Sequence, residues 1–249
     1  MESYPLPYHN ATVHLALFSP IRNAAALRSR LVSASTLPDD EAGNRERAAV
    51  DFAFVDAKMI TSRMHLLIAV QQALLARADD SLKTKTLHSE ILWMLAPGTN
   101  ITEALKHFGL SPSTSSLVVV HIARTAGGRE GQDEDEEVLR RMEAAVEGEV
   151  VSLDALGRIQ GGALDDKAVR KVCFPLRPLG IGSSHARRRS SRSPVRSCLP
   201  RRFAACVPLP QVYKLNSDPA LKGLQAGSDD ARETLDRLVC SSVALKVAM

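Results

Sequence analysis

The fold class the sequence predicts is α/β: a single layered domain with a small central β-sheet packed by helices and carrying one insertion. Three observations point there. Short strand-like runs alternate with segments of helical period. Apolar residues make up 45% and charged residues 24% of 249, an ordinary soluble balance long enough to bury a core. Aromatics are only 4%, so that core must be built from Leu, Val, Ile and Ala.

Taken in order, Val13, Leu15 and Leu17 alternate with Thr12, His14 and Ala16, the period of a half-buried strand over 11–18. A short helix over 23–35 follows, with Asn23 as its cap and Leu27 and Leu31 one turn apart. Residues 36–47 read as a polar loop and 49–55 as a second strand. Asp56 is expected to open a helix running to about Arg77, with Ile60, Met64, Leu67, Ile68, Leu74 and Leu75 on its apolar side.

The stretch from Thr84 to Leu95 reads as helix, with Leu87, Ile91, Leu92 and Leu95 on one face, stopped by Pro97-Gly98. Asn100 then caps a further helix, and Glu103 stands where a capping box would place it. Ile101, Leu105 and Phe108 are expected inside, Gly109 in the left-handed C′ position, and Leu110 packed back on the helix. Residues 116–123 form a buried strand. An acidic loop over 128–137 leads into a helix, its acids at the helix's positive end, and 149–153 is another short strand. Residues 165–172 lead toward one more. Ser228 or Asp229 caps a C-terminal helix whose stripe is Leu235, Leu238, Val239 and Val243.

The formal charge of +4 hides a block. Residues 172–211 hold eight Arg and no Lys, Asp or Glu; setting those eight aside leaves 24 basic against 28 acidic residues. An argument from high pI to nucleic acid therefore rests on this block alone. It also holds three of the four cysteines and six of the thirteen prolines, a composition expected to stay disordered. Two origins fit it: an Arg/Ser arm for RNA or nuclear import, or translated intron. Val172 can be encoded from a GT donor and Gln211 by CAG, and removing 172–211 leaves the frame intact.

Other classes are poorly supported. No apolar run approaches the ~18 residues of a membrane span, and "MESYPLPYHN" lacks the build of a signal peptide. Cysteines 173, 198, 206 and 240 form no C-x-x-C pair, which argues against zinc or a disulfide framework. His9, His14, His65, His88, His107, His121 and His185 are scattered, without metal or triad spacing. Gly127-Gly128 and Gly161-Gly162 are isolated pairs, and no phosphate-cradling fingerprint is present. No catalytic residue, metal or cofactor is assigned. Lys83, Lys85 and Thr86 do combine two cations, a hydroxyl and, at a helix entry, free N–H groups, a set that suits phosphate or equally an ordinary helix end. The stripe of Leu235, Leu238, Val239 and Val243 reads as core or as the seat of a partner's helix.

The segments "KTKTLHSEILWMLAPGTNITEALKHFGLS", "SLVVVHIA", "NAAALR" and "VEGEVVSL" resemble the TPRKB family, the small kinase-binding subunit of the KEOPS (EKC) complex. The resemblance runs from about 11 to 171 and resumes at 212, where "VYKL" fits the family strand that "RK" at 170–171 should join directly. It implies a non-catalytic subunit in nucleus and cytoplasm. Its partners would be the atypical kinase/ATPase subunit, through it the threonylcarbamoyl-transferase subunit, and tRNA. On that reading Lys83, Lys85 and Thr86 are candidate tRNA contacts, and Leu235, Leu238, Val239 and Val243 candidate partner contacts. The rival reading is a stand-alone RNA-binding protein that uses the Arg/Ser block.

Overall fold

The computed structural model describes residues 1–124, 132–157 and 228–246, with backbone only at 132–134. The strand expected near 165–172, "VYKL", the block 172–211 and both glycine pairs lie outside the described residues.

The centre is the strand Ala11–Ile21 (β2), longer than the alternation at 11–18 required. Glu2–Leu6 (β1) returns antiparallel onto its first half through the turn Pro7–His9, closed by Asn10 in the left-handed region at φ 46°. Leu117–Arg124 (β4) runs along its other side, with Ala53–Asp56 (β3) beyond it. Gly148–Val151 (β5) pairs with the second half of β2, across a register shift between Phe18 and Ile21. The sheet order is therefore β1-β2-β4-β3, with β5 on β2, antiparallel throughout. The predicted mixed α/β class is what the chain forms.

Helices cover both faces of the sheet. On one face, Val13, Leu15, Leu17, Val55, Val118 and Val120 meet Arg63–Ala78 (α3), Leu87–Leu95 (α4), Ile101–Phe108 (α5) and Asp229–Leu245 (α7). On the other, Ala16, Phe18, Phe54, Leu117 and Val119 meet Ala24–Thr36 (α1) and Gln132–Ala145 (α6). β2 is thus buried on both sides, His14 included, rather than half-buried; two apolar layers need a strand without a wet face.

Several local expectations are corrected. Residues 36–47 are not all loop: Asp40 accepts from Gly43 N and caps Glu41–Ala49 (α2). Asp56 caps only the short turn Ala57–Met59, and α3 starts at Arg63 with Ser62 as cap. The buried side of α3 is Leu66, Ala69, Val70, Ala73 and Leu74, because small residues let it lie close to its neighbours; Met64 is 57% and Leu75 39% exposed. Asn23 heads α1 without capping it, and its side chain joins Ala145 O and Glu147 N. Asn100 does cap α5, accepting from Thr102 N. Glu103 pairs with His107 at 3.2 Å instead of completing a capping box. Ala104, not Leu105, is the buried residue beside Phe108. Gly109 is extended (φ −79°, ψ 171°), not left-handed.

Candidate nucleic-acid interface

Lys83 and Lys85 are exposed on the turn that links α3 to α4. Thr86 ends that turn as the α4 cap: its Oγ1 accepts from Ser89 N at 3.1 Å and lies 2.8 Å from Ser89 Oγ. The hydroxyl proposed for phosphate is thus already engaged in holding the helix. Two of the turn's amides are engaged too. Lys83 N and Thr84 N both donate to Glu90 Oε2, at 3.1 and 2.8 Å, and Thr84 Oγ1 donates to the same oxygen at 2.7 Å. The N–H groups at 83 and 84 are therefore not free, which removes these two from the set the sequence offered to phosphate. The ammonium groups of Lys83 and Lys85 stand exposed beside them.

Glu90 is fully buried although it lies in the first turn of α4. Its acidity suits that positive helix end. Its Oε1 is buried without a hydrogen-bond partner among the described residues. At the other end of α4, Lys246 Nζ donates to the carbonyls of Trp93, Ala96 (2.5 Å) and Gly98 (2.8 Å) and sits 3.7 Å from the Trp93 ring centroid. Cations belong at a helix C-terminus, where the last carbonyls lack partners. Burial lowers this ammonium's pKa to about 8. Trp93 Nε1 donates to Thr99 O at 3.0 Å, so the 96–99 turn is fixed from both sides.

The stripe of α7 divides. Leu235, Val239 and Val243 are buried in this chain's own core, packed on the α3 side, which removes them from a free docking face. Leu238 is half-buried, and Leu245 on the same helix is 53% exposed.

One arrangement escaped the sequence. His14 and His121 face each other across β2 and β4, with ring centroids 6.0 Å apart, and His88 of α4 stacks on His121 at 6.4 Å. Asp135 lies 3.0 Å from His14 and Asp51 2.8 Å from His88, so acids close both ends. Burial pulls the His121 pKa down to about 4, with Arg141 and the neighbouring histidines adding to the effect. No group of ligands among the described residues has the geometry of a metal site. Spacing gives no hint of this cluster: strand register pairs His14 with His121, and the packing of α4 adds His88.

Comparison with known proteins adds the family. Residues 18–179 match the family described as kinase binding protein CGI-121, a span that continues past Lys171. A Cryptococcus neoformans protein named EKC/KEOPS complex subunit CGI121 is 32% identical over 205 residues, covering 67% of this chain and 86% of its own. The protein of that name from Phaeosphaeria nodorum is 29% identical over 211 residues, covering 74% of this chain and 84% of its own. The one from Coccidioides immitis is 37% identical over 125 residues, covering 49% and 55%. Because the match spans more than half of its length, the chain belongs to the CGI-121 family of kinase-binding proteins.

Proposed function

We propose that this chain is a non-catalytic subunit of an EKC/KEOPS-type complex, acting in nucleus and cytoplasm, that binds the kinase/ATPase subunit and helps recruit tRNA for threonylcarbamoyl-adenosine formation beside the anticodon. The observation that carries the reading is similarity to the Cryptococcus subunit across 86% of that protein's length. The threonylcarbamoyl-transferase would be reached through the kinase subunit. The chain's own contribution to rate would be orientation of a large substrate, since fixing reactants in place removes an entropic part of the barrier.

Two surfaces support a division of labour. The exposed Lys83 and Lys85 offer cations to a tRNA backbone at a turn fixed from below. The outward side of α7, around the half-buried Leu238 and exposed Leu245, would meet the kinase, while Leu235, Val239 and Val243 hold that helix in place. Among the described residues no helix is long and apolar enough to cross a membrane.

The test is capture of the cognate kinase subunit by the full chain and by a chain lacking 172–211. Tight capture by both forms, or by the shorter one alone, supports the reading. Failure of both, with RNA still held by the full chain, would hand the function to the Arg/Ser block. The same segment is proposed to be translated intron within a single domain, and cDNA across the 171–212 join decides that.

A further inference from the structure

A fully buried carboxylate that spends one oxygen on an exposed turn calls for a reason. Glu90 sits on α4 beneath residues 83–84, and its Oε2 gathers three donors, two of them main-chain amides. Consecutive N–H groups converging on one point form the kind of concavity that holds an anion. Here the chain supplies that anion itself. The concavity is filled from inside the core, and the turn is held by the chain's own carboxylate. Thr86, capping α4 next door, ties the end of the turn to the same helix. Lys83 and Lys85 therefore leave the surface from a backbone anchored at both ends, while their side chains remain exposed.

We propose that Glu90 is the positioning residue of this interface, fixing the 83–86 turn so that Lys83 and Lys85 meet an RNA phosphate backbone already oriented. The inference rests on the reading that this turn contacts tRNA. Lysines on a loose turn would lose conformational freedom on binding; an ordered turn has lost the backbone share beforehand. Because Glu90 occupies the amides at 83 and 84, the side chains left to meet a phosphate there are the two ammonium groups, and their contact is electrostatic and steeply dependent on salt.

The experiment measures binding of an unmodified tRNA transcript to the full chain at several salt concentrations. Replacing Lys83 and Lys85 together by Ala should weaken binding about tenfold and flatten the slope of log K against log salt by roughly 1.4, two contacts at about 0.7 each for a single strand. Glu90→Ala should weaken binding about fivefold in the native background and by nothing further in the double-lysine background, since residues acting through one another are not additive. Glu90→Gln, whose amide oxygen still accepts both N–H groups, should restore most of the affinity. Hydrogen exchange at the Lys83 and Thr84 amides reads the grip directly: slow in the native chain, fast in Glu90→Ala. Thr84→Val, which removes only the hydroxyl donor, gives a milder form of the same test if Glu90→Ala does not fold.

Loss from Glu90→Ala of equal size in both backgrounds would mean a general folding effect and would overturn the proposal. So would full affinity in Glu90→Ala alongside a loss in the lysine pair. If the lysine pair has no effect, the tRNA reading of this turn fails first and takes the proposal with it; fast exchange in Glu90→Ala would then record only a structural grip.

Discussion

Thr61 Oγ1 donates to Asp236 Oδ1 at 2.6 Å, joining the entry of α3 to the C-terminal helix across 175 positions of sequence. Thr61 is buried, and His65 Nδ1 lies 3.3 Å from the same hydroxyl. Cys240 Sγ also approaches Asp236, and burial with that carboxylate pushes its thiol pKa up to about 12, leaving it an inert packing group. Thr61→Val keeps shape and removes the donor. It should cost about 1.5–3 kcal/mol, the range for losing a hydrogen bond to a charged group. Urea unfolding would measure it, and Asp236→Ala added to Thr61→Val should cost less than the two changes separately. Additive losses would mean that the pair does not hold α7.

Lys246 fastens the other end of α7 to α4. Lys246→Met keeps the apolar stem over Trp93 but leaves the carbonyls of Trp93, Ala96 and Gly98 without their donor. About 1–3 kcal/mol of stability should be lost. Trp93 is the chain's one tryptophan, so its fluorescence reports the site without labelling. Its emission should shift when the cation 3.7 Å from the ring is removed. An unchanged spectrum and melting temperature would place the ammonium elsewhere.

Gly109 and Gly98 should respond oppositely to alanine. A Cβ at Gly109 would meet Leu105 O at 2.4 Å, a main-chain atom that cannot give way, whereas at Gly98 nothing lies within 4 Å. Gly109→Ala should therefore destabilise by about 1–3 kcal/mol through forced backbone movement. Gly98→Ala should change stability by less than about 0.5 kcal/mol. Thermal melts of the two variants side by side make the comparison.

That glycine shows how far sequence could reach. The need for glycine after Phe108 is legible, but its cause is close approach rather than left-handed backbone, and approach depends on the neighbouring turn. Caps at Asn100 and Ser228 act within three residues, and each forms in the structure. Thr86, read from the sequence as a candidate tRNA contact within a helix from Thr84, caps α4 and starts it at Leu87. The phase of α3 is hard to read because Ala69, Ala73 and Ala76, which carry little hydrophobic signal, share its buried side with Leu66, Val70 and Leu74, while Met64 and Leu75 face out. Nothing in the sequence singles out Glu90, whose contacts exist only because the 83–84 turn folds over it. Of the candidate site, the lysines were legible and what holds them was not.

Acid should unfold this protein through histidines that the fold keeps neutral. Burial lowers His65 to about 4, against the partial opposition of Asp236, and His121 to about 4, reinforced by Arg141, His88 and His14. The unfolded chain binds protons on both residues near pH 6.5, and the folded chain does not until near 4. Between those values the unfolded state holds more protons, so stability is full above about pH 6.5 and falls as pH drops. Each histidine contributes at most about 1.4 kcal/mol per pH unit inside the window. Asp56, raised by its own burial, has the opposite sign and offsets part of the loss. Asp51, held low by His88, adds to the loss only below its ordinary range. Replacing His121 by Phe keeps an aromatic ring against Phe52 and removes one proton site. The slope of unfolding free energy between pH 6 and 4.5 should then fall by about half, as read from urea titrations at stepped pH. An unaltered slope would mean that His121 takes up its proton in the folded state as readily as in the unfolded one, and the acid-sensitive group would have to be sought at His65 alone.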